Sequence, residues 1–265
     1  MKTIQLIIKT SIIAILLLLK PIPSTASHIM GMDLTYKSLG NHQYEVSLSF
    51  YRDCNGSNAP QAPIIDWTGS CGSGSIQLQQ IAVTDITPTC NGINGSTCNG
   101  GNGVYGVEEY VSKGILTLPA ACSQVKISFK YCCRNYSITT LANNYGNKIY
   151  VETFLENSSS NNNAPVFTNV PVPFGCVNQP VIYNHGANDI DGDDLRFSMT
   201  DCSSKEGHSV LYQSGFSGSN PLVSSNGIFI DSLTGAISFT PSIAQVAILC
   251  VLVEEFRNGV KIGSV

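Results

Sequence analysis

The sequence predicts an all-β protein: two disulfide-stapled β-sandwich domains behind an export signal. Three observations carry that prediction. Apolar and polar residues alternate along several stretches. All ten cysteines follow the signal, and no amphipathic helical pattern follows it.

Lys2 and Lys9 precede the apolar run Ser11–Leu19, and Lys20, Pro21 and Pro23 end it. Ser24-Thr25-Ala26 supplies small residues for cleavage, so residues 1–26 read as a signal peptide and the mature chain starts near Ser27. The uninterrupted run is about half of the roughly 20 residues that span a bilayer, which argues against a membrane anchor. No cysteine stands at the cleavage point for lipid attachment, and no second apolar span follows. The expected location is outside the cytoplasm, at the cell surface or beyond. The net charge is −4, and the signal holds three lysines and no acid, so its removal takes −4 to −7. An acidic chain argues against nucleic acid and anionic membranes as partners.

The cysteines are Cys54, Cys71, Cys90, Cys98, Cys122, Cys132, Cys133, Cys176, Cys202 and Cys250. An even count in an exported chain reads as disulfides, with free thiols or metal ligands as the alternative. There is no Cys-x-x-Cys pair to suggest a zinc ribbon or a redox motif. The segment 90–103 is mostly Asn, Gly, Ser, Thr and Cys and reads as a surface loop stapled by Cys90 and Cys98. Cys132 and Cys133 alternate along one strand, so different partners are expected, one of them Cys176.

The first hairpin is the clearest element. Tyr44, Val46, Leu48 and Phe50 share one face of the strand Gln43–Arg52, and Leu39–His42 turns it back onto Met32–Ser38. Val125, Ile127, Phe129 and Tyr131 alternate with polar residues, as do Ile149, Val151 and Leu155. A short helical turn is expected near 137–143. Asn157–Asn163 is a polar run, so the expected division is a first domain at 27–157, a linker at 158–164 and a second domain at 165–265. Strands are expected there at 181–184, 195–199, 228–231, 236–240 and 246–256, with Asn258-Gly259 as a tight turn into 260–265. A sandwich rarely stops within its closing hairpin, so the chain reads as a fragment of something longer. Seven cysteines precede the linker and three follow it. If all pair within the chain, at least one bridge crosses the boundary; the alternative is a partner cysteine beyond Val265.

The best candidate for chemistry is Asn188-Asp189-Ile190-Asp191-Gly192-Asp193-Asp194. Calcium takes six to eight oxygens, and Asp189, Asp191, Asp193 and Asp194 offer carboxylates on a loop that Gly192 lets bend. Glu254 and Glu255 on a later strand are candidate additional ligands. The alternative is an ordinary solvated acidic turn. No Gly-x-Ser-x-Gly, His-Glu-x-x-His or phosphate loop occurs. The histidines, His28, His42, His185 and His208, have no ligand spacing and read as surface or loop residues. Glu108 and Glu109 adjoin on a strand and point to opposite faces, so they make no catalytic pair. Trp67, the one tryptophan, reads as packing rather than as an exposed sugar platform.

Ser27–Tyr36, Tyr51-Arg52-Asp53-Cys54-Asn55-Gly56, Cys132-Cys133-Arg134-Asn135 and Val253–Gly259 together resemble the N-terminal region of gliding-motility-associated surface proteins, which gliding bacteria export through the type IX secretion system. The family opening more often reads His-Ile-Val-Gly-Gly-Glu; Met30, Met32 and Asp33 depart from it, with Asp33 keeping a carboxylate. The second domain, with Asp189–Asp193 and Leu233–Pro241, is similar to cadherin-like Ig-type repeats of bacterial adhesins. By that likeness Asp189, Asp191 and Asp193 are metal-binding carboxylates and Ca²⁺ is the cofactor. The resemblance implies a non-enzymatic adhesin module whose partner is an extracellular surface, glycan or protein. Two alternatives stand beside it: a carbohydrate-binding accessory module of a secreted polysaccharide-degrading enzyme, using Trp67 and Tyr110, and a spacer without a ligand.

Overall fold

A computed structural model describes residues 29–87, 95–101, 103, 105–143, 147–157, 161–171 and 173–265. The signal peptide, His28, Cys90 and residues 158–160 of the expected linker lie outside them. The first half forms β1 (Ile29–Gly40), β2 (Gln43–Asp53), β3 (Ile64–Gly69), β4 (Gly72–Gln77), β5 (Gln79–Asp85), β6 (Val107–Thr117), β7 (Val125–Cys132) and β8 (Lys148–Leu155). The second forms β9 (Val166–Phe167), β10 (Val181–Tyr183), β11 (Ala187–Asn188), β12 (Asp194–Thr200), β13 (Ser203–Lys205), β14 (His208–Ser209), β15 (Ser224–Ile230), β16 (Ile237–Pro241), β17 (Cys250–Arg257) and β18 (Val260–Ser264). The protein is all-β, with one short 3₁₀ turn at Cys98–Gly100 among the described residues. The helical turn expected near 137–143 is absent; that segment bends, and Leu141 bridges to Tyr212.

The first core is a sandwich. One sheet, in the order β1-β2-β6-β5, faces the β8-β7-β3-β4 part of a nine-stranded sheet. Residues alternate across the pleat, so Tyr44, Val46, Leu48 and Phe50 point inward and meet Ile65, Val125, Ile127 and Leu155. Each fully buried large apolar side chain contributes about 1.5–3 kcal/mol. Asn41 and His42 close the β1–β2 hairpin with φ of 50° and 58°, the twist a two-residue turn needs. Asn258 and Gly259 do the same for β17–β18.

The large sheet continues across residues 158–164. Its order runs β12-β17-β18-β8-β7-β3-β4, so β18 from the second half hydrogen-bonds β8 from the first. Arg134, 4% exposed, adds a second stitch: its Nε donates to the Lys148 carbonyl at 3.2 Å and its Nη2 to the Ser203 carbonyl at 3.0 Å. A small core mixes Ile138 and Leu141 with Val210 and Ile248. The remaining core packs the sheet β10-β16-β15 through Ile228 and Ile237 onto Met199 and Val251.

Four disulfides are present among the described residues, and the pairing departs from expectation at three places. Cys98 bonds Cys54, at the end of β2, and not Cys90. Cys132 bonds its neighbour Cys133 across a cis peptide and not a separate partner. Cys176, expected in a bridge to one of that pair, is exposed and unpaired among the described residues. Cys71–Cys122 and Cys202–Cys250 complete the set, and none of the four bridges crosses 158–164. The three bridges that span 44, 51 and 48 residues each remove about 4 kcal/mol of unfolded-chain entropy in the loop-closure picture.

The Tyr51–Gly56 motif has a physical explanation. Arg52 is 12% exposed and pairs with Glu108 at 2.7 Å. Its remaining donors hold the carbonyls of Ser57 at 2.7 Å, Cys54 at 3.2 Å and Gly56 at 2.7 Å. One guanidinium therefore folds the loop that carries Cys54. Five fixed donors suit arginine to this task, and lysine lacks them.

Candidate metal centre

The acidic loop joins β11 to β12. Gly192 takes φ 80°, a left-handed turn without side-chain cost. Asp189 Oδ1 accepts the backbone N–H groups of Asp191 at 2.9 Å and Asp193 at 3.0 Å, closing the loop on itself. Carboxylate oxygens of Asp189, Asp191 and Asp193 lie within 4.8 Å of one another. Asp194 opens β12 and stands outside this cluster, exposed.

Three elements close around it. The chain before β9 brings Asn163, which donates its backbone N–H to Asp191 Oδ2 and its side-chain amide to Oδ1, both at 2.8 Å. β17 brings Arg257, whose Nε and Nη2 grip Asp193 at 2.7 and 2.6 Å. β17 also brings Glu255, which is fully buried. Strand alternation separates the two candidate glutamates: Glu255 turns inward, while Glu254 turns out to Lys261 at 2.6 Å. Gly263 stands opposite Glu255, and a Cβ there would run into its Oε2, so a larger residue would displace that carboxyl.

Two oxygens in this centre are buried without a hydrogen-bond partner among the described residues, Asp189 Oδ2 and Glu255 Oε1. Burial pushes the Glu255 carboxyl up to about 8, the Asn162 amide opposes that rise, and Asp189, Asp193 and Asp191 add to it. Burial also raises the Asp189 carboxyl, with Asp193 and Asp191 contributing. Such orphaned acceptors are costly unless something satisfies them. A hard divalent cation accepts carboxylate oxygens of this kind. Asp189, Asp191 and Asp193 are the residues that would hold it, with Glu255 buried beside them. Asp191 and Asp193 already accept hydrogen bonds from Asn163 and Arg257, and Glu255 stands outside the three whose oxygens come within 4.8 Å of one another, so a cation here would be met first by Asp189 Oδ2.

The other sequence candidates lie elsewhere. Trp67 packs over β4, where a Cβ on Gly74 would meet its Nε1 at 2.9 Å, and it lines no site with Tyr110, which belongs to the other sheet. Tyr110 donates to Glu108 at 2.8 Å, inside the Arg52 network. His208 is exposed, and His42 faces Asn157 across 3.2 Å. His185, read as a surface or loop residue, does lie in the loop between β10 and β11, with its ring held against Asp33 at 3.1 Å. Asn162 was the functional residue hidden by its setting: within a run of Ser and Asn it is fully buried. No family model, curated protein or solved structure matches the chain. No helix among the described residues is long and apolar enough to cross a membrane, which says nothing of strands that cross as a barrel.

Proposed function

We propose that the chain is an exported, non-enzymatic adhesin module that presents loops to an extracellular surface, glycan or protein and is stiffened by calcium. The observation that carries this reading is the set of oxygens that Asp189, Asp191 and Asp193 bring within 4.8 Å of one another, with Asp189 Oδ2 buried and without a hydrogen-bond partner among the described residues. They lie where the segment before β9, the acidic loop and the last hairpin meet. A cation there would tie three chain segments into one body, and a rigid body transmits force to its ends. Four disulfides support export, since such bonds persist in oxidising compartments. The Ig-type, cadherin-like character of the second half belongs to the same proposal and rests on the Asp189–Asp193 and Leu233–Pro241 motifs.

The test is adhesion. Beads coated with residues 27–265 are washed over panels of glycans, extracellular proteins and mineral surfaces, with calcium and with EDTA. Retention that calcium strengthens, and that Asp189→Asn weakens, is the expected result. Retention nowhere on the panels, or retention indifferent to calcium and to Asp189, contradicts the reading.

A further inference from the structure

A cavity of about 240 Å³ lies on the opposite side of β1 and β2 from the core. Its floor is the outer face of the four-stranded sheet. Asp33 on β1 is the register partner of Ser49 on β2, and Tyr51 on β2 is the partner of Glu109 on β6. Their neighbours Leu34, Leu48 and Phe50 point inward, so these polar groups point out. The roof comes from the second half, where the segment 166–170 crosses the face and supplies Val166 and Val170.

The floor is already organised. Tyr51 Oη donates to Asp33 Oδ2 at 2.8 Å, and His185 Nε2 donates to the same oxygen at 3.1 Å. The His185 ring is fixed by stacking on Phe167, with centroids 4.3 Å apart. Asp33 Oδ1 takes no hydrogen bond from the described residues. Glu109 receives one weak contact, Tyr51 Oη at 3.5 Å, and has no basic partner among them. No lysine or arginine lines the cavity. The one amide that lines it, on Asn169, already donates to the Asn184 carbonyl at 2.7 Å.

We propose that this cavity receives the ammonium end of a lysine side chain presented by a partner protein. An ammonium brings three donors and no acceptor, which matches a floor rich in acceptors. A sugar hydroxyl could also meet the Thr35 and Ser49 hydroxyls, but it brings no positive charge for Asp33 and Glu109, the two carboxylates that line the cavity. The space is smaller than the roughly 300–1,000 Å³ that drug-sized ligands occupy, so it suits a side chain end. The four-carbon stem would run along Val166 and Val170, as lysine stems do on apolar surface. The walls come from both halves, so an occupied cavity would also hold the halves together.

The test uses residues 27–265 and Nα-acetyl-lysine methylamide, followed by NMR titration. Saturable shifts at Tyr51 and Glu109 are expected, weakened by added salt and absent with the Nε-acetylated form. Glu109→Gln keeps the shape and lowers affinity by about tenfold or more, as loss of a charge-assisted hydrogen bond does. Val170→Trp keeps both carboxylates and blocks the cavity, so it abolishes binding with the spectrum otherwise folded. No saturable shift at millimolar ligand, equal binding of the acetylated form, or indifference to both variants overturns the proposal. Tighter binding of glucosamine than of the lysine analogue also overturns it, in favour of a sugar.

Discussion

Asn162 and Glu255, 93 residues apart, meet in a dry contact: the Asn162 amide donates to Glu255 Oε2 at 2.5 Å, and both residues are fully buried. The same amide reaches the Tyr36 hydroxyl at 2.9 Å, and the Asn162 carbonyl oxygen accepts from Arg257 at 3.1 Å. One side chain thus ties β1, the segment before β9 and β17 together. A stretch that reads as a spacer is a fastening.

Asn162→Ala removes the one donor to the buried Glu255 carboxyl among the described residues. A loss of about 1–3 kcal/mol is expected, the desolvation penalty of the group left behind. Urea unfolding in EDTA measures it, and Asn161→Ala beside it should be close to neutral.

Stability should fall as pH rises. The folded state holds the Glu255 proton up to about 8, whereas the unfolded carboxyl releases it near 4.5. The native chain therefore binds more protons than the unfolded one between those values. The stabilisation is complete below about 4.5 and is lost as pH rises through about 8. The urea midpoint in EDTA, followed across that window, should decline, and Glu255→Gln should flatten the slope.

Arg52→Met should destabilise by about 3–5 kcal/mol, because it strands Glu108 in a buried position. Adding Glu108→Leu to it should recover part of that loss. A denaturant series on the two single variants and the double variant reads the coupling.

Peptide mapping without reduction should return Cys54–Cys98, Cys71–Cys122 and Cys202–Cys250 as cross-linked fragments. A maleimide added to the native protein should label Cys176. A Cys90–Cys98 fragment would contradict the fold around the end of β2.

The elements with strong periodicity were legible. Tyr44, Val46, Leu48 and Phe50 announce β2, and Asn258-Gly259 announces the last hairpin, because local rules fix both. The acidic loop was legible as spaced carboxylates, and its three clustered members follow from Gly192 and the self-bonding of Asp189. β4 was not legible, since Gly72-Ser73-Gly74-Ser75 has neither alternation nor strand propensity; it forms because it pairs along β3 with Trp67 laid over Gly74. The contacts of Asn162 and His185 are not legible in the sequence for a shared reason: their partners lie 93 and 152 residues away. Cysteine pairing likewise depends on which strand ends meet in space, and spacing alone did not reveal Cys54–Cys98.

A cation held at the acidic loop of Asp189, Asp191 and Asp193 is tested most directly by calorimetric titration of residues 27–265 with calcium. Saturable binding is expected, lost in the Asp191→Asn, Asp193→Asn variant and weakened in Asp189→Asn. No heat at millimolar calcium would contradict it and leave the loop an acidic turn held by Arg257 and Asn163.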